Sequence, residues 1–324
     1  MFRRFLVTPL TSGLIQPWHG PAPQPPQRWL LEACLAPPDV AGRAWQQWLE
    51  QADFDQTDAA SHELASLAVL RLGAAAGDGS VVQRCRGLQR RAWVVSQLGL
   101  EVAAQVAAAC RDRGEMLLAR GDLAMSLLGV SFMGRPWPVR ALSFGVAPGG
   151  NSLARDPSAV VGESVVGDLL RNGRLFIECR RSPRPLWKHA LPAPEPWEGL
   201  RVPPLPWLLA DQVTVNWCWN PPGRLRWVLE LIESLKQAPD PEALADGIVL
   251  AADQLGSLAA LQAAIDDLAT LTGSQALEPL GRRLRGLVLS RRSRWRLHAV
   301  TAPPTSLQRR GLWLLDQLRS RLAP

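Results

Sequence analysis

The sequence has no tyrosine, only two lysines (Lys188 and Lys236) and only four histidines among its 324 residues. His19, His62, His189 and His298 stand apart from one another, so a histidine-rich metal site is not supported. The five cysteines (Cys34, Cys85, Cys110, Cys179 and Cys218) form no Cys-x-x-Cys pair and have no histidine at ligand spacing. That spread argues against a structural zinc site, and the odd number argues against a disulfide framework; buried reduced thiols are the reading that remains. There is no run of about 18 uninterrupted apolar residues, so a membrane-spanning helix is not supported. The basic start, Met1 to Val7, is soon broken by Pro9, Gly13 and Pro17, too early for a secretory signal. These absences together make the cytoplasm the expected compartment. One further absence is local: Met133 to Val146 contains no carboxylate at all.

What is present is an ordinary globular composition, 47% hydrophobic and 20% charged, with 14 tryptophans and 34 of the 36 basic residues being arginine. The charge is unevenly placed. Gly281 to Pro324 holds eleven arginines against the single acid Asp316, a local +10, so the rest of a chain of net charge +7 carries about −3. Within that end, Arg282, Arg283, Arg285, Arg291, Arg292, Arg294 and Arg296 accompany Trp295, a set able to meet nucleic acid phosphates or an acidic partner protein. A solvated helix face with a compositional arginine bias explains the same residues.

Helical periodicity is expected over Trp29–Leu35, Val40–Glu50, Asp58–Ala74 and a long helix Val81–Arg113 capped by Ser80. After Gly114 the pattern changes to a short strand over 115–119, the turn Arg120-Gly121, a short helix Asp122–Leu128 and a loop Gly134–Pro138. A strand Val139–Val146, a loop containing Gly145, Gly149 and Gly150, a helix Pro157–Leu170 and a strand Arg174–Arg180 complete the middle. Residues 182–206 read as a Pro-rich connection, and helices run from Trp207 to the end. The expected order is therefore a Pro-rich arm (1–27), an N-terminal helical region (28–114), an α+β core with a small mixed sheet (115–206) and a C-terminal helical region with a basic end (207–324). The glycine loop lacks the Lys-Ser/Thr ending of a phosphate loop, and Ser126, Ser131 and Ser143 have no neighbouring histidine for serine hydrolysis. Trp207, Trp217, Trp219 and Trp227 gather on one helix pair and read as core, with indole N–H groups bonded to backbone.

Leu117-Leu-Ala-Arg-Gly-Asp-Leu-Ala124 followed by Gly134-Arg-Pro-Trp-Pro-Val-Arg-Ala-Leu142 resembles the core of a divergent bacterial nucleotidyltransferase-like family of the polymerase-β-type superfamily. Trp29–Leu35, the Trp45–Leu49 helix, Leu175-Phe-Ile-Glu-Cys179 and Gly223-Arg-Leu-Arg-Trp-Val-Leu-Glu230 extend the resemblance over roughly residues 28–270. It implies a strand carrying Asp-x-Asp and a third acid on a neighbouring strand. Alternating side chains put such acids on one face, where they hold Mg²⁺ against a nucleotide triphosphate. Here the Asp-x-Asp positions fall on Val139 and Ala141, with Arg140 between them, and only the third acid remains, as Glu178. The family Lys-Gly is Arg120-Gly121, and a histidine of the later helix pair is lost near Asn216 and Trp217. What the resemblance implies is a fold kept and a two-metal chemistry lost. The expectations are no catalytic residue, no metal and no cofactor, with Arg120, Gly121, Arg135 and Arg140 as an anion or nucleotide pocket. The partner would be a protein or nucleotide. An active nucleotidyltransferase with displaced Mg²⁺ ligands and a nucleic-acid-binding module stay as alternatives.

Overall fold

The computed structural model describes residues 25–139, 141–146, 176–182, 184–219 and 225–289. The architecture is α+β: a small mixed sheet flanked on both sides of the sequence by helices. Helices α1 (Pro25–Leu35), α2 (Pro38–Gln51), α3 (Ala59–Leu72) and α4 (Ser80–Asp112) come first. Pro25, Gln27 and their neighbour thus begin a helix instead of ending an arm, because proline is tolerated in a first helical turn where no intrahelical N–H is needed. Asp58 caps α3 by accepting from the Ser61 N–H at 2.6 Å. Ser80 does not cap α4; it is the first helical residue, and Gly79 holds the cap position without a side-chain bond.

By length and composition α4 alone among the described helices could cross a membrane. Its Ser96, Gly99, Val102, Ala103, Val106, Ala107 and Cys110 are instead buried within the protein. Gly199 lies so close to this face that an added Cβ would stand 1.8 Å from the Ala107 carbonyl oxygen. Cys34, Cys85 and Cys110 are free and buried, and burial pushes the Cys85 thiol up to about 11.

The middle section builds the sheet. Strand β1 (Leu117–Arg120) turns at Gly121 (φ +53) into α5 (Gly121–Leu127), a backbone angle that glycine adopts without strain. Strands β2 (Ser131–Phe132) and β3 (Arg135–Pro136) then form a separate hairpin whose two turn residues, Met133 and Gly134, both have positive φ, as a type I′ turn requires. The expected Gly134–Pro138 loop is therefore partly strand. Strand β4 (Ala141–Val146) and β5 (Phe176–Arg181) follow, then α6 (Arg184–His189), β6 (Leu191–Pro192) and β7 (Leu200–Val202). The sheet order is β5-β4-β1-β7-β6, with β4–β5 and β1–β7 parallel and the other two pairs antiparallel. So 184–202, expected as a mere connection, supplies a helix and two strands. Prolines at 192 and 194 obscured them, yet they sit where β6 forms the sheet edge and one N–H is dispensable. Gly145 belongs to β4 and is buried against Ser182, and the helix expected at 157–170 lies outside the described residues.

Helices α7 (Leu205–Trp219), α8 (Arg226–Gln237), α9 (Pro241–Leu255), α10 (Leu258–Thr272) and α11 (Glu278–Arg285) complete the fold. α3 packs on α8, α1 on α10 and α5 on α7. One apolar cluster runs from Leu30 to Leu284, so the helices at both ends share a core with the sheet. Trp207 and Trp227 are part of it, as periodicity suggests. The expected backbone bond to the indole is absent at Trp227, whose Nε1 has no partner among the described residues.

Candidate functional site

Val139 and Ala141, the positions onto which the resemblance places an acid pair, lie at the entrance of β4. Val139 is fully buried, and its N–H donates to Ser96 Oγ of α4 at 2.9 Å. The strand expected over Val139–Val146 starts at Ala141, which is also buried. Just ahead, Trp137 is fully enclosed with its ring 5.3 Å from Phe132. An apolar side chain suits each of these places, since a carboxylate here would lose its water.

Strand register supplies the rest of the geometry. Arg120 pairs with Ser143, and Ser143 with Glu178, so the three positions form one row across β1, β4 and β5. Ala141, two residues from Ser143, lies on the same side. Glu178 is therefore in register with a serine. Among the described residues no group of three or more His, Cys, Asp or Glu is arranged to hold a metal ion.

The described members of the expected anion-binding set do not gather as a cluster of free cations. Arg120 Nη2 donates to Asp211 Oδ2 of α7 at 2.6 Å, with both side chains largely buried. Gly121 lies beside Gln212 and Ser143, the near atoms of its virtual Cβ being at 3.7 and 3.9 Å. Arg135 is exposed on the β2–β3 hairpin, and Arg140 lies outside the described residues.

The dominant electrostatic feature was not among the expected site residues. Arg226, at the start of α8, is 5% exposed and is surrounded by three carboxylates from three helices. Its Nε donates to Glu230 Oε1 at 2.6 Å and its Nη1 to Glu63 Oε1 of α3 at 3.4 Å. Nη2 stands 3.4 Å from Asp122 Oδ1 of α5. Nη1 also donates to the Pro138 carbonyl at 2.9 Å, and the guanidinium carbon lies 4.8 Å from the centre of the Trp137 ring. Burial opposes the guanidinium charge, but Asp122, Glu230 and Glu63 together outweigh it, so its pKa is raised. Burial also dominates at Glu230, pushing its carboxyl up to about 7 against the pull of Arg226. Arg226 thus ties the N-terminal helices, α5 and the segment 137–139 to the C-terminal helices. The signal in the sequence was the Arg-Leu-Arg-Trp element with Glu230 four residues after Arg226, an i,i+4 pair whose burial no linear pattern reveals.

At the basic end, Arg282 Nη2 meets Glu242 Oε1 at 2.6 Å and Arg283 Nε meets Asp246 Oδ1 at 2.6 Å. α11 is thereby fastened to α9 by exposed pairs, while its Leu280 and Leu284 enter the core. Arg285 is exposed, and Arg291, Arg292, Arg294, Trp295 and Arg296 lie outside the described residues. Comparison with protein-family models, with curated proteins and with solved structures finds no match for this chain.

Proposed function

We propose that this chain is a nucleotidyltransferase-fold protein whose two-metal transfer chemistry is lost and which acts as a binding or regulatory partner. The observation that carries the reading is Val139: it is fully buried and its backbone is tied to Ser96, so this position has neither a ligand atom nor an opening for one. Ala141, the first residue of β4, is also buried and carries no ligand atom. The strand–Gly–helix turn at Arg120-Gly121 and the antiparallel β1–β4 pair support the kinship in fold, as does Glu178 in the adjoining strand. With Arg120 engaged by Asp211, an incoming phosphate would have to compete with that carboxylate, so among the described arginines of the expected pocket Arg135, exposed on its hairpin, is the one placed for anion contact. The protein works without a metal or organic cofactor, in the cytoplasm, on a protein or nucleotide partner.

Calorimetric titration with ATP and GTP, with and without Mg²⁺, tests this. The expected result is no Mg²⁺-dependent tightening and no turnover. Tight Mg²⁺-dependent binding with nucleotide consumption would instead establish an active enzyme with displaced ligands.

The charge of the C-terminal end favours a second reading, nucleic-acid binding. Arg282 and Arg283 are committed to α9, so the contacts would come from Arg285, Arg291, Arg292, Arg294 and Arg296 with Trp295. Truncation after Leu289, which spares the core residue Leu284, should abolish a salt-dependent shift of generic RNA or DNA. No shift at low salt from the intact chain sinks this second reading.

A further inference from the structure

The first half of α4 meets the rest of the protein along one stripe. Val82 and Cys85 are buried there, and the Gln89 side chain donates to the Ser66 carbonyl of α3. Helical geometry then turns Arg90, Arg91, Trp93, Val94 and Gln97 outward, and all five are exposed. Trp93 is 63% exposed and Val94 48%. Trp93 alone is exposed among the tryptophans whose burial is described; Trp45, Trp48, Trp137, Trp207 and Trp227 are buried. An indole left in water forgoes the burial that stabilises the others, but keeps a flat π-face open to a ligand.

The charge around that face has one sign. Residues 80–100 hold Arg84, Arg86, Arg90 and Arg91 and no acid, and the first carboxylate along α4 is Glu101. Arg84 pairs with Asp55, and Arg86 with Asp78 at 3.0 Å, whereas Arg90 and Arg91 have no ion pair among the described residues. Arg90 stands one turn before Trp93 and Val94, and Arg91 one turn before Val94, so both cations border the indole. Two uncompensated guanidinium groups beside an open π-face complement phosphates beside an unpaired base. A protein partner fits less well. Stable interfaces bury about 800 Å² on each side around a desolvated centre, and Trp93 and Val94 are the only large apolar residues that α4 exposes.

We propose that this face of α4 binds single-stranded nucleic acid, with Arg90 and Arg91 holding phosphates and Trp93 stacking on an unpaired base. A duplex offers the same phosphates but keeps its base faces stacked on one another, so it lacks the Trp93 contact. The site uses neither the Arg120 pocket nor the C-terminal arginines, and it stands independently of both readings above.

Fluorescence anisotropy of a labelled oligouridylate, titrated with the full chain over a range of salt concentrations, tests this. Replacing Arg90 and Arg91 together by Ser should make the slope of log K against log salt shallower by about 1.4, the value for two phosphate contacts on a single strand. Trp93→Ala should weaken binding at least about fivefold, and Trp93→Phe, which keeps a ring, should restore much of it. The same Trp93→Ala change should leave binding to an RNA duplex level. Removing Arg28 and Arg43, paired on α1 and α2, takes away the same charge and should leave the slope unchanged. Absence of oligouridylate binding at low salt overturns the proposal. Wild-type affinity and slope in the α4 variants also overturn it, and assign any binding to the C-terminal arginines. An equal change in slope from Arg28 and Arg43 reduces the effect to net charge and refutes the site. Polyglutamate binding that depends on Trp93, with oligouridylate binding that does not, replaces the nucleic acid by an acidic protein.

Discussion

Placing a carboxylate at Val139, where the proposed nucleotidyltransferase kinship would have one, is the most demanding test of the buried reading of this position. Val139→Asp removes a fully buried apolar side chain, worth about 1.5–3 kcal/mol. It also places a carboxylate where the surroundings are Trp137, Ala141 and the α4 contact through Ser96, at a cost of several kcal/mol for an uncompensated charge. The nearest described cation, Arg226, is already shared by three acids and cannot serve a fourth. The sum, about 5 kcal/mol or more, approaches the whole stability of a typical domain, about 5–15 kcal/mol. Urea unfolding followed by circular dichroism should show the variant largely unfolded or with its midpoint greatly lowered. Val139→Thr, nearly isosteric, should lose only about 1–3 kcal/mol from its buried hydroxyl. A Val139→Asp protein within about 1 kcal/mol of wild type, and able to bind Mg²⁺, would mean that residue 139 opens onto a solvated cleft. Such a protein would retain the means for metal chemistry.

Other perturbations separate the buried contacts from the exposed ones. Arg226→Met leaves Glu63, Asp122 and Glu230 without their shared cation and should cost about 3–5 kcal/mol in urea unfolding; adding Glu63→Gln and Glu230→Gln should recover a substantial part, and no recovery would deny that charge is the cause. Gly199→Ala drives a Cβ to 1.8 Å from the Ala107 carbonyl oxygen and should lower the melting temperature sharply, by about 1–3 kcal/mol equivalent or more, whereas Gly87→Ala, with open space around it, should leave it level or raised. Arg282→Ala and Arg283→Ala break solvent-exposed pairs and should each change stability by at most about 1 kcal/mol, less in high salt. Alkylation of Cys85 in the native protein should be slow, because burial keeps the thiol protonated, with a pKa of about 11, and fast after unfolding.

Several elements were legible from the residues alone because their periodicity is local. The spacing of Trp45 and Trp48 and of the leucines in 64–72 marks amphipathic helices, and α2 and α3 stand there. The texture change after Gly114 marks β1 and α5 for the same reason, since a strand followed by a glycine turn needs no distant partner to be recognised. The strands β6 and β7 were not legible. Each is two or three residues long and set among prolines; β7 is a strand only because β1 is there to pair with it, and β6 only because β7 is. The hairpin at Met133-Gly134 escaped notice because its turn carries a bulky residue with positive φ in place of the usual Asn or Gly.

The sequence by itself determined that no carboxylate exists between Met133 and Val146, and that no folding event can put a covalent Asp-x-Asp there. It also determined where the basic charge lies, because composition does not depend on conformation. Only the tertiary structure decided what those facts mean locally. Val139 is buried, with its amide held by Ser96, 43 residues earlier. Arg120 is occupied because α7 brings Asp211 to it, and Arg226 joins Glu63 across 163 residues. Whether a charge is exposed, paired or trapped is settled by partners far apart in sequence and by the exclusion of water between them, which only packing creates.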